Sequence, residues 1–373
     1  MNIRQQHPPG WRPAFVRRIR VAGLAVLAVS TVLAAGGNVA AQVPAAAPAP
    51  LRLRIVGGLA GVNQFVLHEE PFWSRELARR SGGRYGADIV PFDRAGVPGQ
   101  DMLTLMQLGV VPFGTALLGQ VVAQHPELGA PDLAGLSPDV ATLRRAVAAF
   151  RPELARSLRE DHALELLAVY IYPAQVFFCT DRVASLKELA GRRIRVSSPT
   201  QADFVTALDA TPVSTSFAEI VPAMRSGRTD CAVTGAMSGR VIGLHEIART
   251  VYAMPVSWGI ALFAANRDAW QALPEDLRRL LREDLPRLEA AIWDESERET
   301  GVQPACGPGP DCRPGASTSP LVVWPSEADQ QKRREVFERA ILPRWVQRCG
   351  AGCARLWNRT LATTLGVKSP VAQ

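Results

Sequence analysis

Strand-like and helix-like segments alternate twice along this chain, and that repeated rhythm restricts the fold more than any other feature. LRLRIV (51–56) alternates apolar and polar positions as a half-buried strand does, then runs into the turn Gly57-Gly58. A helix through FWSRELARRS stops at Gly82-Gly83, because glycine accepts the left-handed conformation that ends a helix. ADIVPF (87–92) and VVPFG (110–114) read as the next strands, with the helical stretch QDMLTLMQLG between them. This β-α-β-α-β order predicts the α/β class with a doubly wound, parallel sheet. Helical spacing from Ser137 to His162, jointed at Pro152, then leads to the strands LLAVYI (166–171) and AQVFFC (174–179). A second series follows: SLKELAG, the strand RIRV, a helix from about Thr200 to Leu208 and the strand PVST. Ser216-Phe217-Ala218-Glu219 reads as a capping box for the next helix, before the strand DCAVTG (230–235). WGIALFAAN (258–266) carries no charge and reads as a strand buried on both faces.

One series inserted within the other implies two lobes with a cleft between them. The boundaries fall at 51–173 for lobe I, 174–257 for the inserted lobe II, and 258–300 for the return to lobe I through a long amphipathic helix. An insertion rich in cysteine, glycine and proline fills 301–320, and helices over 321–373 pack across the lobes. The chain crosses near Pro173 and again near Trp258, so two strands form a hinge. Open parallel sheets bind ligands beyond the carboxyl ends of their strands, and the polar residues at those ends are the ones to examine.

The first 41 residues stand apart from this pattern. Arg12, Arg17, Arg18 and Arg20 precede an apolar run from Val21 to Ala35, and Val39-Ala40-Ala41 is a small-x-small cleavage site. The run is shorter than the roughly 20 residues of a spanning helix, so it reads as a cleaved export signal, with the Sec and twin-arginine routes both open. VPAAAPAP (43–50) is a tether within 42–50 that has no means of packing. The signal carries five arginines and no acid, so its removal takes the formal charge from +7 to +2. No basic run with interleaved aromatics remains, which excludes a nucleic-acid partner. The expected mature protein is a monomer in the periplasm.

Six cysteines suit an oxidising compartment. Cys306 and Cys312 bracket GPGPD, Cys349 and Cys353 bracket GAG, and Cys179 and Cys231 are the remaining candidates for a bridge. The x5 and x3 spacings are poor for a four-thiolate zinc site, and fifteen disulfide pairings stay open. The catalytic signatures HExxH, GxSxG, GxxxxGK and GxGxxG are absent, so neither a catalytic set nor a cofactor is expected. His68, His125, His162 and His245 are scattered, with no carboxylate or cysteine at ligand spacing, and no metal site is expected.

RIRVSSP (193–199) is the stretch that carries binding chemistry. Alternation puts Arg193, Arg195 and Ser197 on one face of the strand, with Arg195 close to its cleft end. A guanidinium there can hold a carboxylate through two parallel hydrogen bonds, and Ser197, Ser198 and the amides opening the next helix also favour an anion. A structural ion pair is the competing reading for Arg195. Thr234 ends DCAVTG, Gln175 lies at the first crossing, Trp258 lies at the second, and Asn63 and Gln64 follow the first glycine turn. Trp258 reads equally as core, and Asn63 as a helix cap.

SLKELAGRRIRVSS, LDATPVSTSFAEIVPAMRSGRTDCAV and NRDAWQALPEDLRRLL, in this order and spacing, resemble the signature blocks of DctP-type solute-binding proteins of tripartite ATP-independent periplasmic (TRAP) transporters. FWSRELARRSGGRYGADIVPFDRAG and AILPRWVQRCGAGCARLWN are similar to the family's first lobe and last helices, so the resemblance spans nearly the whole mature chain. It implies a two-lobed periplasmic binding protein fold, type II-like. The implied activity is capture of a small organic acid in the interlobe cleft and delivery to membrane permease subunits. The family's carboxylate-clamping arginine maps onto Arg195. The sequence departs from the family pattern in three places: Cys231 replaces a glycine, with Thr234 the nearest polar group; YIYPAQVFF carries no second arginine; and Val302 to Pro320 is inserted. A ligand sensor serving a signalling partner would use the same cleft, and a periplasmic enzyme on the same scaffold is the third reading.

Overall fold

The structure, a computed structural model, describes residues 50–300 and 320–369. The export signal, nearly all of the tether and nearly all of the 301–320 insertion, including Cys306 and Cys312, lie outside the described residues. The strands in chain order are β1 Leu51–Gly57, β2 Tyr85–Pro91, β3 Phe113–Leu117, β4 Leu164–Ile171, β5 Gln175–Cys179 and β6 Arg193–Val196. They continue as β7 Thr211–Ser214, β8 Cys231–Gly235, β9 Thr250–Ser257, β10 Ile260–Asn266 and β11 Leu321–Val323. Two sheets result, ordered β2-β1-β3-β10-β4 and β11-β9-β5-β8-β6-β7.

Both sheets are mixed where the alternation predicts parallel ones. β1 runs parallel to β2 and β3, but β10 is antiparallel to β3 and β4, and β5 is antiparallel to β8 and β9. The crossing explains it. The chain leaves the first sheet by β4 and re-enters it alongside by β10, so exit and return must point in opposite directions. The uncharged run does form a central strand, with every residue of β10 buried.

Side-chain alternation divides the second sheet between two cores. Phe177 and Cys179 face the main core, while Val176 and Phe178 face a smaller cluster with Ile220, Met224 and Leu244. Cys179 and Cys231 stand directly opposite on β5 and β8 with Cα atoms 4.1 Å apart, and they are disulfide-bonded. Cys349 and Cys353 are bonded across the junction of the last two helices.

β4 is an edge strand, and the long helix Glu275–Thr300 covers its free side. Glu289 accepts from Val169 N at 2.9 Å, while Trp293 Nε1 and Ser296 Oγ donate to Val169 O and Ile171 O. An open row of backbone groups is thereby closed against pairing with another chain. No helix among the described residues is long and apolar enough to cross a membrane.

Three local expectations change. Pro152 does not joint the helix Val140–His162, because buried Phe150 and Leu154 flank the missing rung and hold both halves on one core face. The third strand begins at Phe113 rather than Val110. The capping box at Ser216 is not formed, and that helix starts at Ile220. Thr215 O is instead held by the Arg195 guanidinium, which keeps this segment in line with the strand end.

Candidate ligand-binding site

Arg195 lies on β6 in register with Val213 of β7 and Ala232 of β8, and only 4% of it is exposed. Its Nε and Nη2 donate to Thr215 O at 3.2 and 2.9 Å, and Nη1 donates to Val233 O at 2.9 Å. A guanidinium has five N–H donors, so two are left unused. No carboxylate among the described residues is within ion-pair distance of it, and burial pushes its pKa down to about 10. Arg193, two residues earlier, has the opposite environment: it is exposed and bonded to Asp230 at 2.6 Å. The strand therefore carries one arginine in an inexpensive surface pair and one buried charge without a counterion.

The strand end opens into a buried amide network that no sequence pattern marks. Ser198 N-caps the helix Pro199–Thr206 by accepting from Gln201 N. The Gln201 side chain then turns inward. Its oxygen accepts from Ser197 N at 2.8 Å and Ser197 Oγ at 3.1 Å, and its Nε2 donates to Gln175 Oε1 at 2.7 Å and Ser257 Oγ at 2.8 Å. Gln201 thus ties the ends of β6, β5 and β9 together. The amides of Ser197 and Gln201, expected to be open to an anion, are engaged inside the protein. Thr234 is buried on β8 opposite Val176, next to the Val233 carbonyl that Arg195 holds.

The other sequence candidates lie apart from this cluster. Trp258 is 1% exposed and donates its indole N–H to Ser137 O, so the core reading of this residue is the one its surroundings match. Asn63 stands at the N-cap position of the helical segment Gln64–Glu69 but its side chain makes no cap bond; its Nδ2 donates to Glu299 at 2.5 Å, and Gln64 Nε2 donates to Glu299 and Ser296 at 2.7 and 3.1 Å. No described contact joins Asn63 or Gln64 to Arg195. Sequence reasoning also misses Glu69, a carboxylate that no motif marks. Its carboxyl is 1% exposed and accepts from Gly58 N and Thr115 Oγ1, and burial pushes it up to about 7. Gly58 permits this approach, since a Cβ there would stand 2.5 Å from Glu69 Oε1 and 2.6 Å from Tyr172 Oη.

The crossing between lobes lies between these two groups. Gly259, at φ +74°, has its Cα between Tyr172 and Gln175; a Cβ there would meet Gln175 Nε2 at 2.7 Å. Asp132 fixes the turn by accepting from Trp258 N, Gly259 N and Ile260 N at 2.8, 2.8 and 3.3 Å. Arg195, Thr234 and Gln175 of the second sheet therefore lie on one side of the hinge, and Glu69, at the end of the helical segment Gln64–Glu69, with Tyr172, just after β4, on the other. At the lips of the crevice the lobes touch: the Cβ position of Gly119 is 3.6 Å from Ser198 Cβ and 3.8 Å from Ser197 O. Gly119→Ala is thus accommodated. Gly119→Trp is expected to wedge the lips apart and weaken ligand binding about tenfold or more, through a smaller closed population. Calorimetry and the radius of gyration from X-ray scattering check this; tight binding by a compact Gly119→Trp variant would refute it.

The model of the DctP family, described as bacterial extracellular solute-binding protein, family 7, matches residues 60–301. No curated protein sequence matches the chain significantly. Among solved structures, the chain is similar to DctP6 of Bordetella pertussis, an extracytoplasmic solute receptor binding pyroglutamic acid. The TM-score is 0.72 and the identity 18%, over 83% of this chain and 98% of that one. It is also similar to a TRAP periplasmic solute-binding protein of Desulfovibrio salexigens with bound orotic acid, with TM-score 0.70 and 15% identity over 84% and 99% of the two chains. A third, from Haemophilus influenzae with bound L-gulonate, gives TM-score 0.69 and 14% identity over 83% and 98%.

Proposed function

This chain belongs to the DctP family of bacterial extracellular solute-binding proteins, and from that premise we propose that it captures a small organic acid with Arg195 and delivers it to the permease subunits of a TRAP transporter. The observation that carries this reading is the buried guanidinium with two N–H groups unused and no acid beside it among the described residues. A charge taken out of water without a partner costs several kcal/mol, and a carboxylate ligand would remove that cost by two-pronged pairing. Thr234, Gln175 and Ser197 are proposed to line the same side of the site; Trp258 would support the hinge from the core, and Asn63 and Gln64, held by Glu299, are left outside the proposed contacts. Glu69, beside the crossing, supplies an acceptor or, when protonated, a donor for a polar group at the far end of the ligand. The basic, apolar and small-x-small order of the N-terminus supports export to the periplasm.

A thermal-shift screen over mono- and dicarboxylates, keto acids, sugar acids, cyclic amino-acid derivatives such as pyroglutamate, and aromatic acids tests the proposal. A ligand that binds only the folded state adds about 2.7 kcal/mol of stability at a hundredfold excess over Kd. The expected result is a rise in melting temperature with one or a few acids and none with the corresponding primary amides. No rise with any acid, or equal rises with the amides, would overturn the reading.

A further inference from the structure

The structure gathers three side chains that the sequence scatters. His125 precedes the short helical run Pro126–Asp132, Glu127 lies in the first turn of that run, and His162 is the last residue of the helix Val140–His162. The two imidazoles meet edge to face with centroids 4.6 Å apart, and His125 Nδ1 is 3.9 Å from Glu127 Oε1. One nitrogen of each histidine and one oxygen of Glu127 lie within 4.8 Å of one another. His162 is 6% exposed. No hydrogen bond joins either imidazole to another described residue, and none of their nitrogens is sealed from solvent, so both rings are available to an ion.

We propose that His125, Glu127 and His162 form a site for a divalent transition ion of the zinc class, which would staple the run Pro126–Asp132 to the end of the helix Val140–His162. Two imidazoles and one carboxylate suit zinc rather than calcium or magnesium, which take oxygen ligands. Bonds of about 2.1 Å in tetrahedral geometry bring ligand atoms to about 3.4 Å from one another, roughly an ångström closer than they stand here. Rotation of the partly exposed His125 and Glu127 side chains supplies that movement, while His162 is held by burial. The bland alternative, an edge-to-face histidine pair with no ion, needs no carboxylate at hand. No described contact joins these three side chains to Arg195, and the proposal does not depend on the ligand proposed there.

The test uses the protein purified without a polyhistidine tag, stripped with a chelator and titrated with ZnCl2 by calorimetry. CoCl2 serves as the spectroscopic probe. The expected result is one ion per chain, a higher melting temperature with Zn2+ and intense visible bands of low-coordinate Co2+. His125→Asn and Glu127→Gln, both at partly exposed positions that leave the core intact, should each lower Zn2+ affinity by more than the about 10–100-fold that losing an outer-shell partner costs. Calcium and magnesium chloride should leave the melting temperature unchanged. Failure of the unsubstituted protein to bind Zn2+, or equal binding by both variants, would overturn the proposal.

Discussion

Arg195→Ala is expected to weaken binding of the acidic ligand by between about 30-fold and several thousandfold, with the fold retained. That range is the 2–5 kcal/mol typically lost when one partner of a buried, hydrogen-bonded charge pair is removed. Two effects compete in the empty protein. Deletion leaves the Thr215 and Val233 carbonyls without their donor, at about 1–3 kcal/mol each for a buried orphan. It also removes a buried cation whose pKa has been pushed down to about 10, which corresponds to a penalty of order 3 kcal/mol. The terms nearly cancel, so the unliganded melting temperature should move little while the ligand-induced rise disappears. Arg195→Lys keeps the charge but replaces a planar fork with a single ammonium, and should give an intermediate loss. Calorimetric titration of the three proteins with the acid found by screening reads this directly. Unchanged affinity in Arg195→Ala would remove Arg195 from the site, whatever the fold.

What could be read ahead of the structure depended on whether a residue's role is set by its own segment or by a distant one. β6 could be read because alternation and a following proline belong to the segment RIRVSSP itself. The lack of an acid beside Arg195 could not, because it depends on β8 and the 215–219 segment not supplying one. Gln201 looks like any polar residue on a short helix, and only the convergence of Ser197, Gln175 and Ser257 makes it the centre of a network. Glu69 follows the same logic, since its burial comes from the close approach of Gly58 on another element. Strand direction was hidden too. Periodicity marks β10 as central, but the order of exit and return through the hinge decides that it runs antiparallel.

Asp132→Ala is expected to destabilise the protein by about 2–4 kcal/mol and to weaken ligand binding as well. Three consecutive amides, from Trp258 to Ile260, lose their acceptor, and each unpaired buried donor costs about 1–3 kcal/mol. Asp132 borders the narrow cavity at the lips of the crevice, so water can reach part of the gap and the full sum will not be expressed. The loss falls on the turn where Gly259 holds a left-handed conformation against Gln175, so the positions of the crossing and of a proposed ligand contact loosen together. Asp132→Asn keeps one acceptor oxygen and should cost less than Asp132→Ala. The pH dependence gives a second check. Burial pushes the Asp132 carboxyl up to about 6 from its ordinary 3.8, so the folded state holds that proton more tightly than the unfolded chain. The resulting stability is present at acid pH and lost as pH rises through 6. Glu69 acts in the same direction near 7 but is common to both proteins. The gap in denaturant midpoint between wild type and Asp132→Ala should therefore widen as pH falls from 7.5 to 5. A gap that narrows over that window would show that the three amides, rather than burial, set the protonation of Asp132.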